Sequence, residues 1–263
     1  MKQKQKQKLV FIVIVAASIC TPFLPVAKAA SVPLQQATAT FPQAFNGSFL
    51  IGAAIDGFAS GNGGWAILQN DLTTTSAATA AFETVNDVGF AGGSLLTFTL
   101  TQTYTGSGGA FPQHTIGRFR LSVTTDDCSL FADGLSSGGN VSANWIMLDP
   151  TSNDSLNGAT LDELGDFSIL ASGLSPATDI YSVVAPTALT GITGIRLEVL
   201  EDPSLPTNGP GRYGNGNFVL TEFQVDIAPT TAPEPSSLAL LVATGTFLVG
   251  LRRRKSTAKP DLA

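Results

Sequence analysis

The sequence predicts an all-β protein, an antiparallel β-sandwich or jelly roll. Apolar and polar residues alternate with period two in several segments. No stretch between residues 31 and 228 keeps a helical apolar period over three turns. Gly- and Ser-rich breaks at 61–64, 106–109 and 136–139 separate the alternating segments, as turns do. Many short strands divided by such turns are the pattern of sandwiches and jelly rolls.

The chain opens with a segment outside that body. Lys2, Lys4, Lys6 and Lys8 precede an apolar run over residues 9–19, and Ala27-Lys28-Ala29 follows. A basic start, an apolar stretch of about 7–15 residues and an A-x-A site make a secretory signal peptide. Residues 1–29 are therefore expected to be removed on export, and Cys20 leaves with them. Pro22 and Pro25 end the apolar run well short of the roughly 20 residues a spanning helix needs.

Four strands are legible in the body. Over 94–104, Leu96, Phe98 and Leu100 alternate with Thr97, Thr99 and Thr101. Over 115–125, Phe119, Leu121 and Val123 alternate with Arg118, Arg120 and Ser122. Ile195, Leu197 and Val199 alternate with Arg196 and Glu198, and Val219, Phe223, Val225 and Ile227 form the apolar face of the last strand. Each has one buried and one wet face, as antiparallel sheets do.

A faint repeat bears on domain organisation. Ile55-Asp56-Gly57, Trp65 and Arg120-Leu121-Ser122-Val123 are echoed by Ala132-Asp133-Gly134, Trp145 and Arg196-Leu197-Glu198-Val199. Two tandem modules, 30–125 and 126–228, would explain it, and this is the favoured expectation over one large sandwich built from both halves. Trp65 and Trp145, with apolar neighbours, are expected in the core.

Residues 229–263 close the chain. Pro233-Glu234-Pro235 is followed by an apolar segment over 236–251, which would be a short transmembrane helix about 24 Å long. Arg252, Arg253, Arg254 and Lys255 form a basic cluster that would hold its end in the cytoplasm. This order of parts resembles the PEP-CTERM sorting signal, also catalogued as the ice-binding protein C-terminal domain. The resemblance implies recognition of Pro233, Glu234, Pro235 and the arginines 252–254 by an exosortase-type transpeptidase in the inner membrane of a bacterium. It also implies a transient membrane stage, then delivery to the cell surface or an exopolysaccharide matrix. Residues 256–263, beyond the basic cluster, depart from the pattern.

Setting both ends aside changes the charge. The whole chain carries −6, but residues 30–232 hold Arg118, Arg120, Arg196 and Arg212, no lysine and 18 acidic residues, a net charge near −14. That balance excludes nucleic acid, whose binding rests on Lys and Arg neutralising phosphates. His114 is the only histidine, which leaves no His-based metal cluster. Cys128, the one thiol after export, is expected as a small buried residue.

A second resemblance covers the body. Ala54-Ile55-Asp56-Gly57, Gly64-Trp65-Ala66 and the run from His114 to Leu121 (His-Thr-Ile-Gly-Arg-Phe-Arg-Leu) are similar to discoidin-like, galactose-binding-like domains. The stretch Asn217-Phe218-Val219-Leu220-Thr221-Glu222-Phe223-Gln224-Val225 resembles their closing strand. The resemblance implies a jelly roll, carbohydrate binding and one structural Ca²⁺ held by Asp56 and Glu222. Ca²⁺ takes six to eight hard oxygen ligands, which an acidic protein offers. The plainer alternative makes Asp56 a turn residue and Glu222 a strand-face carboxylate.

Among Trp65, Trp145, Tyr104, Tyr181 and Tyr213, the best candidate for stacking on a sugar ring is Tyr213, in the Gly- and Asn-rich loop 208–217. Arg212 beside it offers bidentate hydrogen bonds to a carboxylate or to hydroxyls. A flexible hairpin with a capping Tyr is the alternative. Residues 209–214 spell G-x-G-x-x-G, but Pro210 interrupts the loop and a strand follows, so no dinucleotide fingerprint is expected.

No G-x-S-x-G surrounds any serine. Asp126-Asp127, or Asp162-Glu163 with Asp166, would be the carboxylates of a glycan hydrolase, though both clusters read as polar turns. The expectation is an exported, non-catalytic surface or matrix protein that binds polysaccharide or serves a structural role. A hydrolase acting on glycans and a structural protein without ligand are the alternatives.

Overall fold

The computed structural model describes residues 28–43, 49–61 and 63–230. Most of the expected signal peptide, the Pro-Glu-Pro motif, the apolar segment 236–251 and the basic cluster lie outside the described residues. Among the described residues no helix is long and apolar enough to cross a membrane.

The body is all-β, as its alternation predicts. In chain order the strands are β1 (Ala30–Ser31), β2 (Leu34–Ala39), β3 (Ala78–Val88), β4 (Ser94–Gln102), β5 (Arg118–Thr124) and β6 (Ile146–Met147). They continue with β7 (Ser152–Ser155), β8 (Ala159–Glu163), β9 (Ile169–Gly173), β10 (Asp179–Thr187), β11 (Ile192–Val199) and β12 (Glu222–Pro229). One antiparallel sheet runs β1-β12-β4-β10-β7, and the other runs β2-β3-β11-β5-β9-β8 with β6 beside β5.

The two sheets pack as a sandwich. Leu96, Phe98 and Leu100 of β4, Tyr181 and Val183 of β10, and Phe223 and Val225 of β12 are buried on the inner face of the first sheet. Phe82 of β3, Phe119 and Leu121 of β5, and Ile195 and Leu197 of β11 meet them from the second. Rings interlock across the layers: Phe82 stacks on Phe223 at 4.9 Å, and Phe119 on Tyr181 at 6.1 Å. Each such side chain contributes about 1.5–3 kcal/mol by leaving water. The Tyr181 hydroxyl, fully buried, donates to the Ile116 carbonyl at 3.1 Å.

The expected division into modules 30–125 and 126–228 does not hold. β4 pairs with β10 and β12, and β5 pairs with β11, so both sheets draw strands from either side of residue 125. The described residues form one compact unit. The repeated Arg-Leu-x-Val runs are neighbouring strands of one sheet, with Arg120 opposite Glu198 and Ser122 opposite Arg196. Their likeness reflects shared position, one face inward and one outward.

Two further expectations are corrected. Trp65 is fully buried, but Trp145 is only half-buried, edge-on to Phe131 at 5.1 Å and beneath the Arg196 guanidinium at 5.2 Å. Its neighbours Ile146 and Met147 are exposed, because the two-residue strand β6 lies outside the core. Cys128 is likewise half-exposed, in a 3₁₀ turn, and a hydrogen bond to Glu83 with some desolvation raises its thiol pKa.

Candidate functional site

A 410 Å³ pocket opens at the end of the sandwich where β4 stops and β5 and β12 begin. Its described lining comes from Gln43 and Phe49, the 68–72 turn, the loop from Tyr104 to His114, and the loop 208–219. Its volume falls within the range of small-molecule sites, about 300–1,000 Å³.

The loop carrying Tyr213 is held at several points. Gly117 N–H donates to the Pro210 carbonyl, Arg212 N–H to Thr115 and Gly216 N–H to Tyr213. A Cβ on Gly211 would overlap the Asn217 carbonyl, so this close backbone approach requires glycine. These bonds tie the hairpin to its neighbours. Downstream, Asn217 accepts from Ile67 N–H at 3.1 Å and donates to Gln43 Oε1 at 3.0 Å, fastening the loop to two others.

These ties place an aromatic cluster on the pocket wall. The Tyr213 ring lies over His114 at 3.8 Å with 18° between planes. His114 meets Tyr104 edge-on at 5.2 Å, and Tyr104 meets Phe49 edge-on at 5.4 Å. Such pairs add about 0.5–1.5 kcal/mol beyond their buried area. Phe111, half exposed, also lines the pocket.

Among the described residues no Asp, Glu, Lys or Arg lines this wall. Burial lowers the His114 pKa to about 4, partly opposed by its bond to the Phe111 carbonyl. That bond, 2.9 Å from Nδ1, fixes the tautomer: a carbonyl only accepts, so Nδ1 carries the proton and Nε2 is bare. Burial, and then the neighbouring Tyr213, raise the Tyr104 pKa, so the phenol stays protonated. Asn215 accepts from Asn217 N–H through Oδ1, which leaves its amide donors for other partners.

The sequence candidates separate on this scaffold. Tyr213 lines the pocket; Arg212, its neighbour, turns away. The Arg212 guanidinium donates to the carbonyls of Leu174 at 2.8 Å, Gly173 at 3.0 Å and Ser172 at 3.3 Å, and it borders a different cavity of 310 Å³. Its bidentate capacity is spent on backbone.

Asp56 and Glu222, from opposite ends of the sequence, do come together. Gly57 N–H donates to Glu222 Oε2 at 3.2 Å, and Phe58 N–H to Asp56 Oδ1 at 2.9 Å. Glu222 is nearly fully buried; burial raises its pKa and the Asp56 charge raises it further, against the Gly57 hydrogen bond. Asp56 bonds within its own turn, as the plainer alternative expects, yet its charge reaches Glu222, and the oxygens the two leave unbonded would be available to a divalent cation. Among the described residues no third His, Cys, Asp or Glu joins them, so backbone carbonyls or water would complete the shell.

Four of the five acidic residues named for hydrolysis have structural partners, while Glu163 lies near Asp149, and burial followed by the Asp149 charge raises its pKa. Asp126 accepts from the Asn144 backbone at 2.7 Å, Asp127 caps a turn through Ser129 N–H, and Asp162 accepts from Ser172 Oγ at 3.0 Å. Asp166 pairs with Arg118 at 2.9 Å.

No family model and no curated protein matches the sequence. Among solved structures, a similar chain comes from work on the multiple functions of the Streptococcus pneumoniae β-galactosidase BgaA. The likeness has a TM-score of 0.43 at 10% identity and covers 73% of this chain and 89% of that one.

Proposed function

We propose that this chain is an exported, exosortase-processed protein of the bacterial cell surface or extracellular matrix that binds polysaccharide without cleaving it. The observation that carries the binding reading is the pocket formed by Tyr213, His114, Tyr104 and Phe49. A pyranose ring has an apolar C–H face and a rim of hydroxyls. Flat aromatic rings beside amide, phenol and imidazole groups complement both, in the mixture typical of ligand pockets.

A glycan array probed with the full-length chain tests this. Saturable binding that Tyr213→Ala removes is the expected result, and silence across the array overturns the reading. Delivery is tested separately in the native host. Replacing Pro233 and Glu234 with alanine should retain the protein in the inner membrane, and unchanged surface delivery would exclude exosortase sorting through this motif.

The same reading includes a structural Ca²⁺ held by Asp56 and Glu222, fastening the turn before Gly57 to the start of β12. It would neutralise the mutual repulsion of the two carboxylates and have no part in chemistry. A melting temperature that rises with Ca²⁺ and falls with chelator is expected; indifference to both ends that part of the proposal.

A further inference from the structure

We infer that the pocket selects an uncharged sugar residue, and that Nε2 of His114 is the acceptor that reads one of its hydroxyls. The inference rests on the polysaccharide-binding reading and narrows it to a ligand class.

Among the described residues the pocket wall contains aromatic, aliphatic and amide side chains and one imidazole, with no Asp, Glu, Lys or Arg. A uronate or sulfated sugar entering it would give up water with no cation to receive its charge, a transfer that is costly without pairing. The body's four arginines are committed elsewhere. Arg118, Arg120 and Arg196 are in ion pairs, and Arg212 is bound to three carbonyls. A body near −14 also repels anions at a distance. An amino sugar is drawn by that field but finds no carboxylate in the wall to pair with.

The wall also offers an acceptor. His114 is 7% exposed, and its Nδ1–H is occupied by the Phe111 carbonyl. Nε2 has a lone pair and no hydrogen-bond partner among the described residues, on a ring that borders the pocket. A sugar hydroxyl can donate to this nitrogen in place of water, and Asn215 and the two phenols offer partners for the hydroxyl oxygen.

The test uses the full-length protein and matched oligosaccharides: cello- and galacto-oligosaccharides, their C6-oxidised uronates and their 2-amino counterparts. The neutral set should bind at least about tenfold tighter than either charged set, the ratio expected for one unpaired buried charge or hydrogen bond. A uronate or amine that binds equally or more tightly overturns the inference while leaving polysaccharide binding intact. Silence from all three sets removes the binding reading and the inference with it. For His114, a monodeoxy series of the bound sugar is compared on wild type and His114→Phe, which keeps a ring beneath Tyr213. One deoxy position should weaken wild type about tenfold and leave the variant unaffected. Equal losses in both proteins mean that His114 does not read a hydroxyl. Should the variant melt early, a wild-type series that is flat at every position overturns the assignment by itself.

Discussion

On the outer face of the second sheet, Arg120 forms a two-pronged pair with Glu198 at 2.9 and 3.0 Å, and Arg196 reaches the same carboxylate at 3.0 Å. Arg118 bridges Asp166 and Asp202, and Trp145 lies beneath Arg196. In the end pocket, by contrast, Tyr213 is covered by a neutral imidazole, and among the described residues no Asp, Glu, Lys or Arg lines the wall. Both regions set a ring against a nitrogen-bearing side chain. In one the charges of adjacent strands pair in register, with Arg196 Nε alone among them buried and without a partner. In the other, neutral donors and acceptors from loops remain open to a ligand.

Acid should separate the two regions most strongly. His114 is neutral in the fold, with a pKa near 4 against 6.5 when exposed. Above pH 6.5 neither state is protonated and the group contributes nothing. As pH falls from 6.5 towards 4 the unfolded chain takes up a proton the folded chain refuses, so stability drops by about 3 kcal/mol. Glu222, whose pKa is raised by burial and then by Asp56, acts in the opposite sense, favouring the fold as pH falls. Denaturant titrations at pH 7 and pH 4 should show that His114→Phe loses less than wild type. An identical loss would mean that the imidazole is not buried neutral.

The next effect is on binding. Tyr213→Ala should weaken glycan binding by about ten- to a hundredfold, as removal of an aromatic anchor does, while stability changes by about 1 kcal/mol or less. Arg120→Met should reverse that profile, costing about 1 kcal/mol because the pair is partly solvated, with glycan affinity unchanged. If Arg120→Met weakened binding as much as Tyr213→Ala, the contrast between the two regions would fail. The smallest effect is salt. Raising NaCl to molar concentration should cost the ionic face a few tenths of a kcal/mol and leave affinity for a neutral glycan unmoved, measured by calorimetry.

Strands whose two faces differ were readable from sequence. Leu96, Phe98 and Leu100 in β4, and Phe119, Leu121 and Val123 in β5, are all buried as their alternation predicts. β3 was not, because Ala80, Ala81 and Phe82 are all buried and the period disappears. β7, Ser152–Ser155, is a short polar edge strand with no apolar face to reveal it. Pairing across the chain midpoint was equally hidden, since β4 finds β10 and β12 through contacts no local pattern encodes. At the site, Tyr213 stood out from its loop composition, and Asp56 with Glu222 through a motif resemblance. His114 did not, because its value comes from Phe111, Tyr104 and Tyr213 closing around it. Arg212 misled for a related reason: adjacency in sequence says little about direction in a tight turn.

β12 starts beside the pocket and ends at Pro229, roughly 25 Å further along the strand. Its register with β4 extends over its whole length, and β1 flanks its far end through Ala30 and Ser31. A protein tethered by its C-terminal tail and gripping a polymer at the pocket would feel tension along this strand. Ladder hydrogen bonds run across a strand, so that pull loads them together in shear instead of peeling them one at a time. Under the proposed function the last strand would be the tension member of the body, taking force from a bound polymer in shear without unzipping the sheet.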